Sequence, residues 1–189
     1  MPNWCNNSLT LTGPEDVIKE IVATGFSFQK LIPCPQELID TQSPPPSKEI
    51  GENNVAKYGY ADWYSWNVAN WGTKWDVGPL DCDFLETENG VSTLYLNFDS
   101  AWSPPVEALR KIHEKYSPRG LKMQGEYIET GCSFLGTVVG NEDGFSDEYE
   151  EWSNVDELAA IVKEMNHSMG ESELEYLRDM EEEEKESSE

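Results

Sequence analysis

Apolar and polar side chains alternate along residues 3–12, with Leu9 and Leu11 on one face and Thr10 and Thr12 on the other, and this period of two predicts a first strand. Gly13-Pro14 breaks it, and the period then lengthens. Val17, Ile18, Ile21 and Val22 form an apolar stripe at helical spacing, opened by Pro14 with Glu15 and Asp16 in the first turn and closed at Gly25. Phe26, Phe28 and Leu31 predict a second strand that Pro33 and Pro35 terminate. Residues 36–57 carry little pattern, and Ser43-Pro44-Pro45-Pro46-Ser47 reads as an extended connector. A short helix fits Asp62 to Ala69, because Trp63, Trp66, Asn67 and Asn70 recur at i, i+3, i+4 and i+7; Asn70 or Gly72 would end it.

Two hairpins and three helices follow. The segments 82–87 and 91–99 flank Glu88-Asn89-Gly90, a strong hairpin signal. Ser103 is placed as the N-cap of a helix striped by Val106, Leu109, Ile112 and Tyr116 and stopped by residues 117–120. Residues 121–128 and 132–139 pair through Thr130-Gly131, and an acidic loop runs from Asn141 to Glu151. Asn154 to Glu157 resembles a capping box before a stripe of Val155, Leu158, Ala159, Val162 and Met165. Leu174, Leu177 and Met180 mark a weaker helix that runs into a frayed acidic tail at 181–189.

The order predicts an α+β fold: a ferredoxin-like split βαβ antiparallel sheet with two helices on one face. Residues 1–139 form that domain, with a Trp-rich insertion at about 36–80 as the expected cover of the other face. Residues 140–189 form an acidic helical extension. Tyr58 to Asp76 holds four of the seven tryptophans, so these rings either staple the insertion to the sheet or make a recognition surface.

Charge changes the picture most. The chain carries −24, and 19 of its 37 acids but only three of its 13 Lys and Arg residues lie from position 141 onward. Such a field repels phosphate backbones and attracts basic partners. Cys5, Cys34, Cys82 and Cys132 show neither a C-x-x-C pair nor a metal-finger spacing and read as free, buried thiols. No apolar run is long enough for a membrane span and no signal peptide is visible, so a cytoplasmic protein is expected.

Particular residues add to these periods. The opening M-P-N-W-C-N-N-S-L-T-L-T-G, the N-W-G-T-K-W-D at 70–76, the F-D-S-A-W-S-P-P at 98–105 and the Tyr127…Gly131…Phe134…Gly136 hairpin together resemble the YubB-like family of phage and plasmid proteins. The resemblance spans about residues 1–139. It implies a ferredoxin-like domain of mobile elements and no particular reaction, and it leaves the acidic extension outside the family pattern.

Candidate chemistry is sparse. His113 reads as surface or half-buried, and His167 has no nucleophile near it. Asp62, Asp76, Asp81 and Asp83 match no metal-loop spacing, and no cofactor fingerprint occurs, so neither catalytic residues nor cofactor nor metal is expected. Lys74, the one cation of the aromatic cluster, is placed for a cation–π contact or for binding an anion, the first being the more economical. The expected function is non-enzymatic: binding of a host protein with a basic surface, with nucleic-acid mimicry as its most specific form. The interaction candidates are Trp63, Trp66, Trp71, Lys74, Trp75 and Trp102, with Glu142, Asp143, Asp147, Glu148, Glu150 and Glu151. Two alternatives remain: a small-ligand site or enzyme in the Trp-rich region, and single-stranded nucleic acid stacked on sheet aromatics such as Tyr95.

Overall fold

The computed structural model describes residues 3–80, 82 and 85–186. Six strands make one antiparallel sheet in the order β2-β3-β1-β4-β5-β6: β1 (Trp4–Pro14), β2 (Leu85–Glu88), β3 (Val91–Ala101), β4 (Lys122–Glu129), β5 (Phe134–Asn141) and β6 (Gly144–Glu151). Helix α1 (Glu15–Val22) follows β1. The insertion then contributes α2 (Phe28–Leu31), α3 (Gln36–Ile39), α4 (Lys48–Tyr58) and α5 (Trp63–Trp71). Helix α6 (Val106–Tyr116) joins β3 to β4, and α7 (Val155–Met165) and α8 (Ser168–Glu186) close the chain. Strands β1 to β4 with α1 and α6 have the ferredoxin-like arrangement, which the β5–β6 hairpin widens on the β4 side.

Alternation divides the sheet into two faces. Leu9 and Leu11 of β1 lie level with Leu96 and Leu94 of β3 and with Gly125 and Met123 of β4. The four leucines and Met123 share one buried cluster with Val17, Ile18 and Ile21 of α1, Leu109 and Ile112 of α6, and Trp66 and Trp71 of the insertion. The insertion therefore extends the helix-side core instead of covering the opposite face, a correction to the sequence expectation. The opposite face is covered in part by the extension: Ile128 of β4 and Leu135 of β5 pack with Trp152, Leu158 and Val162. Once β5 and β6 are added, two helices on one side leave those apolar residues bare, and the stripe of α7 supplies the cover.

Other expectations are corrected locally. Residues 26–31 are not a strand: Phe26 has φ 52°, Ser27 accepts the N–H of Lys30, and the short α2 begins there. Residues 36–57 are largely helical, and Ser47 and a left-handed Gly59 bracket α4. Ser103 is not an N-cap. Pro105 precedes α6, and the Ser103 hydroxyl donates instead to the Gly72 carbonyl. Residues 144–151 are not loop but strand β6, paired in register with β5 from Phe134↔Glu151 to Asn141↔Gly144. Of the predicted 82–87 strand, Cys82 is not in a strand and Asp83 and Phe84 lie outside the described residues, as does the end of the tail, 187–189.

Candidate functional site

The four motifs that carry the family resemblance meet at one pole of the sheet. Trp4 pairs with Ala101, and the Trp102 N–H donates to the Asn3 carbonyl. Asn7 is buried and donates to Cys5 O, Phe98 O and Ser100 Oγ, while Asn6 donates to Asp99 Oδ1. Thr73 is fully buried and donates to Ala101 O. Gly72 ends α5 at φ 80°, and a Cβ there would stand 3.0 Å from Pro104 O, so only glycine permits this approach. The fourth motif closes the pole. Buried Glu129 accepts the N–H groups of Gly131 and Cys132, and Asn3 donates to Cys132 Sγ.

The tryptophans of the 58–76 stretch split into structural and exposed members. Trp71 is 3% exposed, donates its indole N–H to Ile32 O at 2.9 Å and packs edge-on against Trp66. Trp63 is half-buried beside Tyr64. Trp75 is 39% exposed; it leans on Trp4 with ring centroids 6.1 Å apart, and Lys74 Nζ sits 4.7 Å from its centroid. Trp4 and Trp102 are 49% and 48% exposed. Trp4, absent from the sequence-derived candidates although it stands in the opening motif, thus joins Lys74, Trp75 and Trp102 on this pole.

The six acidic candidates lie elsewhere, on the β5–β6 hairpin. Glu142 and Asp143 form its turn, and Glu142 binds Lys122 at 2.6 Å, which holds its carboxyl below the ordinary glutamate range. Asp147 accepts the Tyr127 hydroxyl at 2.8 Å; desolvation nevertheless raises its carboxyl above the ordinary aspartate range. Glu151 accepts the Tyr149 hydroxyl, which burial and that carboxylate push up to about 12. Glu148 and Glu150 project to the other face, where they share a groove with Ile161, Glu164 and Met165 of α7. Glu164 was missed by sequence reasoning, although its place three residues after Ile161 puts the two side by side on α7, at the border of the Leu158, Val162 and Met165 stripe.

The extension that carries these acids is fixed in place. His167 is fully buried, and the Gly170 N–H donates to its Nδ1 at 2.9 Å. The proton therefore sits on Nε2, which donates to Tyr127 O and Gly136 O at 3.2 and 3.0 Å. Glu126 caps the start of α8 by accepting from Ser168 Oγ and Met169 N. Burial opposes the charge on Glu126, but the hydrogen bonds from Ser168 and Met169 hold its carboxyl below the ordinary range. His113 is also buried, against expectation, and its Nε2 lies 3.1 Å from Asn141 O.

Asp76 and Asp62 have structural work. Asp76 accepts Ser27 Oγ and the N–H groups of Phe28 and Gln29, capping α2 from a distance in sequence. Asp62 caps α5 in a capping box with Ser65. Asp81 and Asp83 lie outside the described residues, and among the described residues no metal-holding group of His, Cys, Asp or Glu side chains gathers. Cys5 and Cys34 are buried free thiols as expected, whereas Cys132 lies in the β4–β5 turn and is exposed. Among the described residues no helix is long and apolar enough to cross a membrane.

A family model described as "Ferredoxin-like domain in Api92-like protein" matches residues 82–186. The match begins before β2 and includes β6, α7 and α8, so the acidic extension lies within the pattern of this family. The chain is also similar to the crystal structure of a protein api92 from Yersinia pseudotuberculosis, with 9% identity, 82% of this chain and 99% of that chain covered, and a TM-score of 0.44. No curated protein matches the chain. From β2 to α8 the sequence thus carries a recognised domain, and the chain belongs to the family of Api92-like proteins that share it.

Proposed function

We propose that the protein is a non-enzymatic accessory factor, of the kind mobile elements encode, that binds a host protein bearing a basic surface in the host cytoplasm. The observation that supports this reading is the rigid mounting of the acids. Strand β6 is laddered to β5, α7 is packed over Ile128 and Leu135, and His167 ties α7 and α8 to two sheet carbonyls. A solvating tail needs none of this. Fixed carboxylates at defined spacing give complementarity and fast, steered encounter, and in its most specific form such a surface stands in for nucleic acid in a partner's cationic groove.

Deleting 141–189 would be a poor test, because it removes β6 and uncovers Ile128 and Leu135. The reversal Glu148→Lys with Glu150→Lys leaves the packing alone. Capture of a basic host protein by the wild-type chain and its loss on reversal is the expected result; equal capture by both overturns the reading.

A second reading rests on the aromatic pole. Trp4, Trp75 and Trp102 are exposed where the family motifs converge, and large exposed rings are favoured anchors at interfaces. Binding there would survive both charge reversal and salt.

A further inference from the structure

Strand β6 ends the sheet, and its eight residues make the longer of the two edges, twice the length of β2. The ladder fixes which of its backbone groups are turned outward. Asn141 and Gly144 close a two-residue hairpin, and the Trp152 N–H donates to Ser133 O, so even-numbered residues carry the bonds to β5. Phe145, Asp147, Tyr149 and Glu151 therefore direct N–H and C=O away from β5. An edge of this length is a template for another strand.

We propose that β6 accepts an extended Lys/Arg-rich segment of a partner protein as a seventh strand. This rests on the basic-partner reading above and specifies its mode. Charge selects the occupant. An added strand would lay one set of alternate side chains beside Asp147, Tyr149 and Glu151 and the other set over the groove of Glu148, Glu150 and Glu164. Ile161 and Met165 floor that groove, which suits the alkyl stem of Lys or Arg while the carboxylates take its head. A second copy of this chain is disfavoured, because β6 against β6 would set acid against acid.

The probe is an eight-residue synthetic peptide alternating Lys with Thr and Val, compared with the same peptide N-methylated at every backbone amide. Both carry the same charge, but only the first can extend a ladder. Binding to the full-length protein is followed by fluorescence anisotropy, and amide exchange is followed by NMR. The expected result is at least about tenfold weaker binding of the methylated peptide, with slowed exchange at Phe145, Asp147, Tyr149 and Glu151 on adding the parent peptide. Equal binding of both peptides with unchanged exchange overturns strand addition while leaving the acidic-surface reading standing. Binding by neither peptide overturns both.

Discussion

Tyr127 of β4 reaches across β5 to donate its hydroxyl to Asp147 of β6, 2.8 Å away. Gly136 makes the reach possible: a Cβ there would lie 2.3 Å from the Tyr127 hydroxyl. A residue of the ferredoxin-like core thus holds the acidic edge strand directly. Tyr127→Phe should cost about 1 kcal/mol, and Gly136→Ala more, about 1–3 kcal/mol, because it displaces the ring as well. Asp147 already binds its proton more tightly folded than unfolded, so its contribution is greatest at acid pH and is lost as pH rises through the folded value. Removing the Tyr127 donor should move that folded value further up, which carboxyl NMR titration reads directly.

The tryptophans should separate by mutation. Trp71→Ala empties a core position and strands Ile32 O, and should cost about 3–5 kcal/mol by urea unfolding. Trp75→Ala, at a site 39% exposed, should cost under about 1 kcal/mol. Similar costs for the two would contradict the division into core and exposed rings.

Docking of α8 should depend on pH through Glu126. Its folded value is lowered, so the stability it contributes is present above the ordinary glutamate value of 4.5 and is lost as pH falls through the lower folded value. Buried Trp152 reports the docked extension. Its indole N–H resonance should shift over that acid window, and Glu126→Ala should weaken docking already at neutral pH. A resonance that moves only with global unfolding would contradict the account.

Thiol reactivity offers a simple check. Burial pushes Cys5 up to about 12 and Cys34 up to about 11, so both should stay unlabelled in the native protein at neutral pH. Cys132 is exposed and should react, slowly, because Glu129 beside it raises its thiol.

Period and turn chemistry made much of the fold legible. Leu9 and Leu11, the stripes of α1 and α6, and Asn89-Gly90 report elements whose one face is apolar. Strand β6 escaped because an edge strand exposes both faces, and its sequence from Gly144 to Glu151 is mostly acidic; its register comes from β5, not from its own pattern. Helix α2 escaped because its four residues are capped by Asp76, 48 residues beyond Phe28. The aromatic pole was legible as separate motifs but not as a place, since Trp4 meets Trp75 and Ala101 only once the sheet is built. Buried His167 was not legible, because its acceptors are backbone carbonyls of β4 and β5.

The central claim is that fixed acids on β6 and α7 govern affinity for a basic partner. The most direct measurement titrates the captured partner with the full-length protein and with the Glu148→Lys, Glu150→Lys variant, at salt rising from about 50 to about 300 mM. Wild-type affinity should fall steadily with salt, with most of the change in association rate, and the variant should bind at least about tenfold more weakly at the low end. Affinity unmoved by either salt or reversal would contradict the account and transfer the binding surface to Trp4, Trp75 and Trp102.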